Sequence, residues 1–376
     1  MKIIRIVSEL DFGGVEQVIA NSVWEMGRNS KMDVSIIVLG KGGKVAQELI
    51  EKGIQVDVLN QNPRIPNFRL IFKLRKIILE SNPAVLHSQG GEANFHGILA
   101  GSWAGVKRIV GEEIGIPNHH SYWKYIFKWV YSRAHVIIAI SEAVKNAIVG
   151  LGEVEKEKVR VVYNPVRLEN GKIGNRVLET PIATSGGSNS FRKKNKEEKP
   201  FVYITTCRLV PIKNLERLIA AFSELVKEYE EKPMELWIVG DGPLIKHLIK
   251  KVNKSGLINR VKFLGFQENV FQFLKLADVF TLPSLKEGSS VSLVEAMVCG
   301  LPSVVTKIGG AAEILGSSKS GVLVDPLDVS LIKEGMYTLA TMTDLERKEM
   351  GERAKAEAER FYPEKYLKSL KEIYKG

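Results

Sequence analysis

Short apolar runs recur along this sequence, and most are apolar from end to end rather than alternating. The first half carries IIRIVS, DVSIIVL, IQVDVL, AVLH, VKRIV, AHVIIAI and KVRVVY; the second carries FVYITT, MELWIV, VKFLGF, DVFTL and PSVVT. A strand that is apolar on both faces is buried on both faces, as in a parallel sheet covered by helices. Helical stripes separate the runs. Val15, Val18, Ile19, Val23 and Met26 share one face, as do Leu215, Leu218, Ile219, Phe222 and Leu225. Strand alternating with helix predicts a doubly wound α/β architecture.

At 376 residues the chain exceeds what one core organises, so two domains are expected. The alternation breaks over residues 169–199, a stretch rich in Gly, Ser, Asn and Lys that reads as a flexible linker. It separates an N-terminal domain, 1–168, from a second, 200–360, and a last helix over 361–376 follows a break at Pro363. With 44% hydrophobic and 26% charged residues, this is a globular composition. No apolar run is long enough to span a bilayer. Lys2 and Arg5 sit inside the first apolar run, which reads as a strand rather than a leader. Cys207 and Cys299 have no metal-type spacing and fit a reducing, cytoplasmic compartment. The net charge of +11 favours anionic partners without choosing among nucleic acid, membrane and phosphorylated substrates.

Open α/β sheets bind ligands beyond the C-terminal ends of their strands. Gly13 and Gly14 follow the first strand and open a helix; they suit either a plain tight turn or an anion approached by backbone amides. Arg208 and Lys213 lie between a strand end and the next helix, where two cations suit a diphosphate or are simply solvated. The Gly-Asp-Gly-Pro turn at 240–243 is as well explained by a sharp reversal. His87 ends the run AVLH and reads as a strand-end group able to hydrogen-bond or shuttle protons. In EGSSVSLVEAMVCGLPSVV, Glu287 falls in a loop after a strand, and Glu295 falls in a helix expected to be buried nearly all round. A carboxylate there requires a partner: a backbone amide, an arginine, or the paired hydroxyls of a ligand.

The chain resembles the retaining glycosyltransferases of family 4, of GT-B fold. EGSSVSLVEAMVCGLPSVVTKIGGAAEIL carries the resemblance most specifically, supported in order by GGVE, VLHSQG, AISEAVK, VVYNPV, RLVPIKNLERLIAAF, IVGDGP and VKFLGF. The resemblance implies two Rossmann-like domains facing across a cleft, with the final helix returning to the first domain. It implies that Glu295 holds the donor ribose, that Arg208, Lys213 and Gly14 meet the diphosphate, and that Glu287 meets the donor sugar. The backbone of Gly13, Gly288, Ser289, Ser290 and Val291 is expected beside sugar and phosphate, with Phe266 and Gln267 along the base. Three positions depart from the pattern. Cys207 stands where glycine is usual, Ser290 replaces a second glycine, and Glu113 or Ile114 in RIVGEEIG occupies the place of a common histidine. The histidine's role then falls to His87 or Glu113.

The activity implied is transfer of a hexose or N-acetylhexosamine from a nucleotide-diphosphate sugar, UDP-linked by preference, to a glycan or lipid-linked acceptor in surface polysaccharide or glycolipid assembly. The nucleotide sugar is a co-substrate; no cofactor and no metal is expected, and nucleic acid is not expected as a partner. Two basic, aromatic segments, 64–78 and 119–133, suit either helices packed on the sheet or contact with an anionic membrane, so the expected location is cytoplasmic, extending to the inner face of the cell membrane. Two other classes compete: a sugar-nucleotide epimerase of similar shape, and a non-catalytic nucleotide-sugar-binding membrane adaptor.

Overall fold

The computed structural model describes residues 1–11, 16, 18–20, 22–23, 26, 32–117, 122–166 and 199–376. The chain divides into two compact units, Met1–Arg167 with Arg360–Gly376, and Leu168–Glu359. Of the stretch read as a linker, all but residue 199 lies outside the described residues.

The first unit holds β1 (Lys2–Val7), β2 (Asp33–Val38), β3 (Gln55–Val58), β4 (Val85–Gln89), β5 (Arg108–Glu113), β6 (Val136–Ala139) and β7 (Val159–Val161). They pair in parallel in the order β3-β2-β1-β4-β5-β6-β7. The pleat explains the apolar runs. Ile4 and Ile6 of β1 pack under the helices Phe68–Ser81, Gly91–Ala104 and Trp123–Ser132, while Ile3 and Val7 face Ile19, Val23 and Met26 on the other side. That second face is completed by the last helix, Pro363–Lys375, through Tyr366, Leu370 and Tyr374.

The second unit holds β8 (Phe201–Thr206), β9 (Met234–Val239), β10 (Val261–Gly265), β11 (Val279–Leu282), β12 (Ser303–Thr306) and β13 (Gly321–Val324), again all parallel, in the order β10-β9-β8-β11-β12-β13. The stripe Leu215, Leu218, Ile219, Phe222 and Leu225 is buried on helix Leu215–Glu228. The sequence reading missed β13. It is an edge strand of four residues, with Leu323 exposed, and so lacks the both-faces-buried signature. Each sheet winds outward both ways from its first strand, leaving a topological switch point between β1 and β4 and between β8 and β11.

Arg5 was legible as a charge inside an apolar run, and the structure accounts for it. Its guanidinium is fully buried, donating from Nη1 to Ser22 Oγ at 2.5 Å and from Nη2 to Gln89 Oε1 at 2.6 Å. Gln89 Nε2 in turn donates to Glu112 Oε2 at 2.8 Å, and that oxygen lies 2.9 Å from His87 Nε2. His87 Nδ1 is 2.7 Å from the Tyr374 hydroxyl of the last helix. A neutral ring with its proton on Nε2 satisfies both contacts. This corrects the reading of His87 as a strand-end group. The strand β4 continues to Gln89, and the His87 side chain is fully buried, shut away from any substrate.

Burial pushes the His87 imidazole below its ordinary value of 6.5. Burial alone would raise the Glu112 carboxyl. Its hydrogen bond from His87, the Arg5 charge and the Gln89 amide outweigh that and hold it below its ordinary 4.5. In both cases the unfolded chain takes up protons first on acidification, so folding stability falls with pH, from about 6.5 for His87 and from about 4.5 for Glu112. His96 and His135 are also lowered by burial and act in the same direction. Comparing melting temperature against pH for the wild type and His87→Gln isolates the His87 share; the variant is expected to lose less stability between pH 7 and 5. Glu112→Ala leaves Arg5 buried without its counter-charge and is expected to cost on the order of 3–5 kcal/mol in chemical denaturation.

Candidate functional site

Of the residues singled out in the second half, Arg208, Lys213 and Glu287 to Val291 lie on the connections that flank the switch point between β8 and β11, whereas Phe266 and Gln267 follow the edge strand β10. The chain leaves β8 at Cys207, passes the exposed Arg208, makes a tight turn over Pro211–Lys213 and starts its helix after Asn214. It leaves β11 at Pro283 and reaches helix Val291–Val298 through Glu287, Gly288, Ser289 and Ser290. Ser290 is the N-cap of this helix, with Oγ accepting the Leu293 amide at 3.3 Å.

These two loops are bound to each other. The Leu285 amide donates to the Ile212 carbonyl at 2.8 Å, and Lys213 Nζ donates to Glu287 Oε2 at 2.8 Å. The Lys213 and Glu287 side chains are only 19% and 10% exposed, so water screens the pair less than it screens a surface ion pair. The expectation set Lys213 against a diphosphate and Glu287 against a sugar; the structure pairs them with each other. Burial pushes the Cys207 thiol up to about 11, which favours the protonated thiol at neutral pH.

Neighbouring strand ends brace these loops. Gly309, after β12, sits at φ +77°, and a Cβ there would lie 2.1 Å from the Glu287 carbonyl oxygen. Gly310 donates its amide to that oxygen at 2.9 Å. After β9, a Cβ at Gly240 would lie 1.9 Å from the Cys207 carbonyl oxygen, and the Leu209 amide donates to the Asp241 carbonyl at 2.9 Å. The Gly-Asp-Gly-Pro turn therefore serves as a brace that lets the Arg208 loop pack close. After β10, Phe266 is 47% exposed, while Gln267 donates Nε2 to its own loop at the Leu264 carbonyl, 2.7 Å away.

Glu295 is placed differently from expectation. Leu293, Val294, Ala296 and Met297 are buried, but Val291, Ser292, Glu295, Val298 and Cys299 form a half-exposed stripe along the same helix. The helix is not buried all round, and Glu295 lies on its open side. An apolar composition hid this, because Val291 and Val298 occupy the open stripe as well.

The first unit brings less together. Gly13 and Gly14 lie outside the described residues. Glu113 ends β5 and is buried; its Oε1 accepts from Asn94 Nδ2 at 3.1 Å and from the Tyr131 hydroxyl. Burial and this carboxylate push the Tyr131 hydroxyl well above its ordinary value. Glu113, expected to share the missing histidine's role, thus ties helices Gly91–Ala104 and Trp123–Ser132 to β5 from a buried position.

Sequence reasoning missed Asn214. It is buried, and its Nδ2 donates to the carbonyls of Pro283 at 3.0 Å and Pro326 at 2.6 Å. The local signal was an asparagine at a helix start, which reads as an N-cap. Its side chain makes no cap bond.

Residues 12–170 match the family model described as Glycosyltransferase Family 4, and residues 188–357 match Glycosyl transferases group 1. The chain is 33% identical over 273 residues to N-acetyl-alpha-D-glucosaminyl L-malate synthase of Bacillus anthracis, covering 72% of this chain and 67% of that one. It is 25% identical over 370 residues, 94% of each chain, to N-acetylgalactosamine-N,N'-diacetylbacillosaminyl-diphospho-undecaprenol 4-alpha-N-acetylgalactosaminyltransferase of Campylobacter jejuni subsp. jejuni serotype O:2. In fold it is similar to Anabaena Alr3699/HepE solved in complex with UDP, with a TM-score of 0.79 and 23% identity over 99% of both chains.

The bracing by Gly309 carries its own test. Gly309→Ala places a methyl group against the Glu287 carbonyl and forces alanine into the left-handed region. It is expected to cost on the order of 1–3 kcal/mol or more, read as a lowered urea midpoint.

Proposed function

The chain belongs to glycosyltransferase family 4, and on that premise we propose that it moves a hexose or N-acetylhexosamine from a UDP-sugar to a glycan or lipid-linked acceptor with retention at the anomeric carbon. The observation that carries the reading is the pair of cations on one loop, Arg208 and Lys213, at the switch point of the second sheet and opposite the N-terminus of helix Val291–Val298. UDP in the similar Anabaena structure supports a uridine donor, and the names of the Bacillus and Campylobacter relatives support an N-acetylhexosamine. The undecaprenol diphosphate in the Campylobacter name supports a lipid-linked acceptor.

In the proposed reaction the bond between the anomeric carbon and the diphosphate oxygen breaks, and negative charge builds on the leaving group. Arg208 and Lys213 stabilise that charge, together with the amides at the start of helix Val291–Val298. The acceptor oxygen bonds to the anomeric carbon on the same face, and its proton passes to the departing phosphate oxygen. Lys213 meets the diphosphate by exchanging or sharing its contact with Glu287, which places the Glu287 carboxylate beside the donor sugar. Glu295, on the open stripe of the same helix, is assigned to the ribose hydroxyls.

The acceptor's lipid accounts for the surface of the first unit. Phe68, Phe72, Leu79, Trp103, Tyr125 and Trp129 are exposed, and Arg69, Lys73, Arg75, Lys76 and Lys128 lie exposed among them. Phe72 and Trp103 rings lie 5.9 Å apart, and the Arg133 guanidinium sits 4.4 Å over Trp129. Aromatic anchors among cations suit the interface of an anionic bilayer. Among the described residues, no helix is long and apolar enough to cross a membrane.

Arg208→Ala and Lys213→Ala are each expected to lower kcat/KM for the donor by about 10- to 100-fold, the loss of one charge-assisted contact, with a cooperative melt retained in both and an unchanged midpoint in Arg208→Ala, whose side chain is exposed. Activity of both variants at the wild-type level removes the clamp, and NMR of the product showing an inverted anomeric centre removes retention. Wild-type chain is expected to sediment with vesicles of anionic lipid and not with neutral ones. Tyr125→Ala combined with Trp129→Ala is expected to weaken that sedimentation several-fold.

A further inference from the structure

We propose that Asn214 is a positioning residue, one that fixes the loops after β8, β11 and β13 in a single frame and so holds Lys213 in place for the donor diphosphate. The proposal rests on reading those loops as the diphosphate site.

Asn214 stands at φ +58° and ψ +33°, in the left-handed region, where asparagine is among the few residues other than glycine found with any frequency. An asparagine before a helix ordinarily turns its side chain onto the first free amides. Here the side chain goes elsewhere. The two N–H groups of Nδ2 reach the Pro283 and Pro326 carbonyls, which lie 69 and 112 residues away in sequence, and Oδ1 accepts from Arg217 Nη1 at 3.0 Å. The residue is 5% exposed and spends both donors and its acceptor.

The two carbonyls lie just beyond the last residues of β11 and β13, where no ladder partner remains for them. One amide therefore joins three strand ends, spanning the position of β12 between β11 and β13. Its neighbours extend the joint. Ile212, Lys213 and Asn214 are consecutive, and they bind Leu285, Glu287 and Pro283 respectively, by a backbone bond, an ion pair and a side-chain bond. The ion pair alone leaves a long lysine able to swing. The flanking bonds fix the backbone from which it extends, so that the ammonium is already in place when an anion arrives.

Asn214→Gly separates side chain from backbone, because glycine adopts φ +58° without strain while losing all three bonds. Asn214→Asp keeps the size and sets a carboxylate against two carbonyls. Amide hydrogen exchange in both variants is expected to speed up roughly tenfold at Leu285 and Gly310, with β9 amides unchanged. Calorimetric titration with UDP is expected to show roughly tenfold weaker binding than wild type, while each variant still melts cooperatively. Unchanged exchange at Leu285 and Gly310 overturns the joint. Faster exchange with unchanged UDP affinity overturns the positioning role. Lys213→Ala serves as the separate control: if it binds UDP as wild type does, the diphosphate reading fails, and the exchange result alone decides whether Asn214 joins the loops.

Discussion

The ion pair between Lys213 and Glu287 joins two loops that leave the sheet on opposite sides of its switch point. In a parallel sheet, strands on either side of that point send their connections apart, and a crevice opens between them. Left alone, a lysine and a glutamate in that opening would be flexible and separately solvated. Here the Ile212 carbonyl, the Asn214 amide, and the Gly309–Gly310 turn hold both loops, so the pair is partly withdrawn from water. A cation held this way offers an incoming diphosphate a formed contact with a competing carboxylate already beside it.

Buried charge is handled by a different rule in the first unit. Arg5 is neutralised through a continuous chain from Ser22 and Gln89 to Glu112, His87 and Tyr374, with every link inside the core. The last link belongs to the final helix, so that the residues 360–376 complete the polar core of a sheet formed by the first 161. Buried charge in this unit works toward folding, whereas charge at the β8–β11 loops remains partly open to solvent and available to a ligand. That difference in exposure separates His87 and Glu113 from Arg208 and Lys213, all four of which were candidates in the sequence.

Most strands were legible because burial on both faces writes itself into consecutive apolar residues. β13 was not, because an edge strand with Leu323 in solvent carries no such signature. The stretch EGSSVSLVEAMVCGLPSVV located Glu287 and Glu295, but not their surroundings. Glu287 meets Lys213 across 74 residues, a pairing that no local pattern carries. Asn214 went unnoticed because sequence shows a side chain's chemistry and not its direction. His87 looked like a strand end because the apolar run stopped there, while Ser88 and Gln89 continued the strand under polar names.

The central claim is that a donor diphosphate binds between the loops after β8 and β11 and takes Lys213 from Glu287. A crystal structure of the chain with UDP tests it most directly. The account predicts both phosphates within hydrogen-bonding distance of Arg208 and Lys213, with Lys213 Nζ farther than the present 2.8 Å from Glu287 or shared between carboxylate and phosphate. UDP bound elsewhere, with the Lys213–Glu287 pair unchanged and no phosphate near it, would contradict it.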